Sequence, residues 1–144
     1  MEILPVDEEC AALLYKTLKL EGFFPELTAE QARKLFPRSA LEKHPAEGSI
    51  LRQGQPGRDL YIVVSGEVTV NQSLGSAGAE VSRLRPGDIF GEIALVKGGV
   101  RTAGVTAAVD SRVYRLSFAD VQYLLENNLA LGSHLQELAR ERTA

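Results

Sequence analysis

The chain has 144 residues; 44% are apolar, 24% are charged, and the formal net charge at neutral pH is −3. That is the balance of one ordinary globular domain, long enough to withdraw roughly two-thirds of its unfolded surface from water. The acidic balance disfavours duplex DNA as a direct partner. The single cysteine, Cys10, forbids an internal disulfide. Neither the acidic start MEILPVDEE nor any run of about 18 apolar residues offers a leader peptide or a membrane span. The expected setting is therefore cytoplasmic, with no direct nucleic-acid or membrane partner, and Cys10 is expected to be a small buried hydrophobe.

In chain order, Asp7 can cap a first helix whose opening turn carries Glu8 and Glu9. Cys10, Leu13, Leu14, Thr17 and Leu18 follow at helical spacing, with Gly22 as the expected stop. Thr28 and Gln31 form a capping box for a short second helix, which Pro37 ends after Phe36. From there to about Leu116, glycine and proline recur between β-branched runs, the pattern of an all-β sandwich or barrel. Leu60, Ile62 and Val64 alternate with Tyr61 and Val63; Gly66 turns the chain, and Val68 and Val70 resume the alternation. A soft loop from Leu74 to Ala79 leads to a strand around Val81 and Leu84, and Pro86-Gly87 makes the next turn. Val105, Ala107 and Val109 alternate again, and Asp110-Ser111 turns the chain into Val113–Leu116.

Helix returns at Ser117, a cap with Asp120 in the third position and a staple between Leu116 and Val121. Asn127-Asn128 break it, and a last helix carries Leu131, Leu135 and Leu138. That stripe is first a packing face. Its second reading is the seam of a homodimer through the last helix, flanked by the small residues Gly132 and Ala139. The expected organisation is a single domain, 1–144, with N-terminal helices at 1–36, a β-barrel at 37–116 and C-terminal helices at 117–144.

The stretch with chemistry in it is Pro86 to Val105, PGDIFGEIALVKGGVRTAGV. It starts as a strand and turns irregular. Gly91 lets a ligand approach the backbone. Glu92-Ile93-Ala94-Leu95-Val96 can form one helical turn, whose first amides are unpaired donors that favour an anion. Arg101, a permanent cation with a planar donor fork, suits phosphate oxygens. Ionised Glu92, acceptor-only, suits a sugar hydroxyl. An anion site beside a hydroxyl site describes a ribose phosphate. His44, before Pro45 in an expected loop, and His134 in the last helix have no partners at metal-ligand spacing, so no metal site is expected.

These residues resemble the phosphate-binding cassette of the cyclic-nucleotide-binding domain family, which includes the catabolite activator protein, the regulatory subunits of protein kinase A and the cyclic-nucleotide-gated channels. The family pattern is Phe-Gly-Glu-(Ile/Leu)-Ala-Leu, a short loop, then Pro-Arg-x-Ala. Here stand Phe90-Gly91-Glu92-Ile93-Ala94-Leu95 and Arg101-Thr102-Ala103. The upstream GQPGRDLYIVVSGEVTV, from Gly54 to Val70, and the PGDIFGE lead-in are similar to the family as well, so the likeness extends over residues 23 to 140. It implies a mainly β fold, a double-stranded β-helix (jelly-roll) barrel flanked by N- and C-terminal α-helices, with the cassette at 90–103. It also implies site roles: backbone donors from Gly91, Ile93 and Ala94, Glu92 on the ribose 2′-hydroxyl, Arg101 on the cyclic phosphate, and Thr102 near the phosphate and purine. Val100 stands where the family has Pro, so a looser loop and modest affinity are expected.

The resemblance implies a sensor and not an enzyme. cAMP or cGMP is its ligand, with cAMP slightly ahead, and no further cofactor is needed. The nucleotide would draw the cassette inward and repack the last helices, with coupling of ~1–3 kcal/mol. Two other readings stay open. A cupin-like metal or small-molecule barrel shares the fold but needs more histidines than the two present. The chain also reads as the sensor part of a transcription regulator, ending at Ala144 before a DNA-binding domain. The effector is not legible.

Overall fold

The structure is a computed structural model that describes residues 1–74, 77–92 and 99–143. Asp7 opens α1 (Glu8–Thr17) as expected, accepting the Cys10 amide at 2.9 Å. The helix does not reach Gly22. It ends at Leu18, and Lys19 takes a left-handed φ of 58°. Leu18 and Leu20 are both fully buried, and residues two apart lie on opposite sides of a helix, so burying both requires the chain to leave the helix between them. α2 (Ala29–Leu35) starts at the Thr28–Gln31 capping box and stops at Phe36, before Pro37.

Among the described residues nine strands follow or precede these helices: β1 (Glu2–Leu4), β2 (Ala40–His44), β3 (Ser49–Leu51), β4 (Leu60–Ser65), β5 (Val68–Leu74), β6 (Ala77–Leu84), β7 (Ile89–Phe90), β8 (Gly104–Ala107) and β9 (Ser111–Leu116). They form two antiparallel sheets, ordered β1-β2-β9-β4-β7 and β3-β8-β5-β6. The expected single barrel is therefore two sheets that do not join into one closed ladder. The expected soft loop is mostly strand: β5 and β6 pair through Leu74 opposite Ala77. β8 stops at Ala107, leaving Val109 half exposed. β1, too short to show an alternation, pairs with β2 through Glu2–Lys43 to Leu4–Leu41.

Residues from both sheets, including Leu51, Tyr61, Val63, Val68, Phe90, Val105 and Val113, fill the space between them. The opposite face of the five-stranded sheet, with Leu41, Leu60, Ile62, Val64, Tyr114 and Leu116, packs against the helices. Cys10 lies buried in that second core, and burial pushes its thiol up to about 12.

α3 (Phe118–Asn127) and α4 (Leu129–Thr143) close the chain, and no helix among the described residues is long and apolar enough to cross a membrane. Leu131 and Leu135 are buried in the core with Leu14 of α1 and with Leu18 just after it, and Leu138 packs against it. The stripe is thus a packing face, and its first two leucines are unavailable as a dimer seam. Asn128 joins the ends of the chain: its amide donates to the Leu18 and Lys19 carbonyls at 3.0 and 3.2 Å, and its oxygen accepts the Leu131 amide.

Candidate functional site

β4 and β7 set the floor of the site. Tyr61 and Phe90, paired across these strands, stack with ring centroids 5.0 Å apart and planes 11° apart. Gly91 follows with a φ of 89°. A Cβ there would lie 2.9 Å from both Arg101 Nη1 and the Asp59 carbonyl oxygen, so glycine is required by backbone conformation and by space. Glu92 has helical backbone and is 1% exposed. Its Oε2 is enclosed and accepts no hydrogen bond, while its charge acts on Arg101. Ile93 and Ala94, the expected backbone donors, lie outside the described residues.

The other side of the cassette is strapped to the segment before β4. Gly57 donates to the Gly99 carbonyl at 2.9 Å, Arg101 to the Gln55 carbonyl at 2.9 Å, and Gly54 to the Arg101 carbonyl at 2.8 Å. These bonds surround an isolated bridge between Pro56 and Val100. The looseness expected from Val100 is thus countered by main-chain pairing that needs no proline.

Arg101 is 5% exposed, although it stands outside any strand or helix. Its Nη1 donates to the Gly91 carbonyl at 3.2 Å and its Nη2 to the Asp59 carbonyl at 3.0 Å. The guanidinium sits 5.7 Å from the Tyr61 ring centre, within cation–π range. Burial pushes its pKa down, and Tyr61, Asp59 and Glu92 oppose that fall; arginine stays charged regardless. Among the described residues, no carboxylate lies within ion-pair distance of it. A dehydrated cation bonded to neutral carbonyls, with the Asp59 and Glu92 charges acting on it from beyond ion-pair distance, suits an anion. Thr102 is exposed, with its carbonyl accepting from Gln72 Nε2 at 3.4 Å.

The site's surroundings contain residues to which the motif assigns no role. Asp59 Oδ1 accepts the Phe118 amide at 2.9 Å and Oδ2 faces Arg115 Nη1 at 3.5 Å. Ser117, the expected cap of α3, makes no side-chain capping bond; its own amide donates to Ser39 Oγ, which donates to Asp120. Arg115 is also held by Glu42 at 3.0 Å. Burial alone would depress its pKa, but the Glu42 bond and the Glu42 and Asp59 charges keep it above its ordinary value. His44, expected in a loop, is the buried last residue of β2, 2.9 Å from Glu42. Glu42 and His44 share one face of β2 by alternation, a signal the sequence carries but a Lys between them obscures.

A β-sandwich with a glycine-led turn, a buried glutamate and a buried arginine strapped beside it has the chemistry to hold a small anion. The chain belongs to the cyclic nucleotide-binding domain family, whose model matches residues 41–128. It is 34% identical over 118 residues to a cyclic nucleotide-gated potassium channel of Mesorhizobium japonicum, covering 82% of this chain and 30% of the channel. It is 31% identical over 99 residues to a cAMP-dependent protein kinase regulatory subunit of Colletotrichum orbiculare, covering 69% of this chain and 25% of that one. The chain thus spans less than a third of these relatives. Among solved structures, the regulatory domain of Toxoplasma gondii protein kinase A with cAMP superposes with a TM-score of 0.70 at 27% identity, over 92% of this chain and 48% of that one. The catabolite activator protein of Thermus thermophilus gives 0.66 at 28% identity, over 86% of this chain and 56% of that one.

Proposed function

We propose that the chain binds a purine 3′,5′-cyclic monophosphate, cAMP ahead of cGMP, and passes its occupancy through α3 and α4 to an effector without catalysing a reaction. The observation that carries this reading is Arg101: a buried guanidinium, held by two backbone carbonyls and lacking a carboxylate at ion-pair distance among the described residues. In this reading Arg101 takes the cyclic phosphate, Glu92 accepts from the ribose 2′-hydroxyl, and Gly91, Ile93 and Ala94 offer main-chain donors. Thr102 lies toward the purine. The names of the relatives and the cAMP in the Toxoplasma structure support the ligand class.

The same reading takes residues 1–144 as one working unit in the cytoplasm, with the two sheets following a jelly-roll path. A homodimer through α4 would use its outer face, where Leu129 is 86% exposed, and light scattering with and without nucleotide tests it. Calorimetric titration with cAMP and with cGMP tests the main claim. Saturable binding of either supports it; a folded protein that shows no heat with either at millimolar concentration overturns it.

A further inference from the structure

We infer that Asp59 is a positioning residue that joins Arg101 to the first turn of α3, so that the placement of the cassette arginine sets the order of that turn. The inference goes beyond the nucleotide reading and rests on it only for the identity of the anion; the linkage itself lies in the free protein.

Asp59 makes two bonds with two separate groups. Its main-chain carbonyl accepts from Arg101 Nη2 at 3.0 Å. Its carboxylate accepts the Phe118 amide at 2.9 Å. Phe118 is the first residue of α3, and the residue before it, Ser117, supplies no cap of its own. The opening of α3 therefore depends on a carboxylate borrowed from the segment preceding β4. A helix N-terminus favours such a negative group. The carboxylate is also held from behind: Arg115 faces it at 3.5 Å, Glu42 holds Arg115 at 3.0 Å, and His44 holds Glu42 at 2.9 Å. The last three residues sit on adjacent strands of one sheet, so the cap is anchored to a rigid element.

The neighbouring residue adds a second tie. The Arg58 guanidinium carbon lies 5.3 Å from the Phe118 ring centre, and a Cβ on Gly99 would meet Arg58 Nε at 2.9 Å. Residues 58 and 59 together thus touch the end of the cassette on one side and the start of α3 on the other.

The consequence follows from the short path between the two groups of Asp59. An anion that draws Arg101 toward itself redirects the Nη2 bond away from the Asp59 carbonyl. The peptide plane of Asp59 then reorients, and the carboxylate shifts against the Phe118 amide. Occupancy of the cassette is read as a change in the capping of α3.

The test is hydrogen exchange of the Phe118 amide in four ligand-free proteins: wild type, Asp59→Ala, Arg101→Ala and the double variant. Loss of the cap should speed Phe118 exchange about tenfold in Asp59→Ala. Arg101→Ala should speed it about threefold when Asp59 is present and hardly at all when it is not, the signature of coupled residues. Asp59→Asn, whose amide oxygen still accepts, should hold Phe118 within about threefold of wild type. Unchanged Phe118 exchange in Arg101→Ala overturns the inference, and so does an equal acceleration in both backgrounds; the Arg101 variant alone suffices should Asp59→Ala not fold. Saturating cAMP should alter Phe118 exchange in wild type and leave it unaltered in an Asp59→Ala protein that still binds. A wild type that does not bind cAMP removes the nucleotide reading and leaves the ligand-free cycle to decide this one, whereas a wild type that binds cAMP with unchanged Phe118 exchange overturns this one.

Discussion

Replacing Arg101 with alanine should damage both binding and, to a smaller degree, the free fold. Its guanidinium makes two hydrogen bonds to carbonyls, at 3.0 and 3.2 Å, in a place only 5% exposed. Bonds to a charged donor are worth about 1.5–3 kcal/mol each, and the cost of burying the cation opposes them. The downward push of burial on the arginine's pKa gives that opposition its sign. The net loss in the free protein is then about 1–3 kcal/mol, or about 3–10 °C in Tm for a chain of this size. A sequence-based view of a solvent-near cation would expect almost none.

The loss in affinity should be larger. A cyclic phosphate brought against a neutral wall forfeits about 2–5 kcal/mol, which is about 30-fold to several thousand-fold in Kd. Arg101→Lys should recover part of this, because an ammonium supplies the charge without the fork. Calorimetry with cAMP and thermal unfolding without it, on the same preparations, give both quantities. If Tm falls but cAMP affinity stays within about threefold of wild type, Arg101 only supports the fold and the argument for the site is wrong.

Three further outcomes are expected. Val100→Pro should stabilise the protein by about 0.4–1 kcal/mol and bind nucleotide no more weakly, since the bonds around that bridge are donated by Gly54, Gly57 and Arg101; urea unfolding and calorimetry check it. Asn128→Ala should cost about 2–4 kcal/mol, read as a lowered denaturation midpoint at constant slope, because one side chain satisfies the Leu18 and Lys19 carbonyls and the Leu131 amide. Burial pushes the Tyr61 phenol up to about 12, so the unfolded chain, with its tyrosine near 10, ionises first. Stability from this group is full below about pH 10 and drains away as pH climbs through the folded value, and Tyr61→Phe should flatten that alkaline slope by up to about 1.4 kcal/mol per pH unit.

The parts of the fold legible in the sequence are those fixed by local chemistry. Asp7 and the Thr28–Gln31 pair cap helices where their side chains reach their own neighbours, and the alternation around Tyr61 marks a strand buried on both faces. The cassette was legible because its residues are contiguous. The misread features depend on partners far along the chain. Ser117 looks like a cap, but Asp59, 59 residues away, takes the Phe118 amide. Arg101 looks like a surface cation until Gly57, Asp59 and Gly91 close around it. The leucines of α4 fit a seam or a core equally well from spacing alone, and only the docking of α1 beneath them decides between the two.

β4 has no wet side. Tyr61 and Val63 look into the space between the sheets, where Arg101 lies over the Tyr61 ring, whereas Leu60, Ile62 and Val64 look into the helical layer. Adjacent residues of one strand thus belong to different compartments separated by the thickness of a single backbone. A methyl label on Val63 and another on Ile62 would act as microphones on opposite sides of one wall. Events at the candidate site beside Tyr61 would reach the first through the core between the sheets and the second only after crossing the sheet or travelling around it through α3. The delay or attenuation between the two signals would then separate transmission through the wall from transmission around its edge.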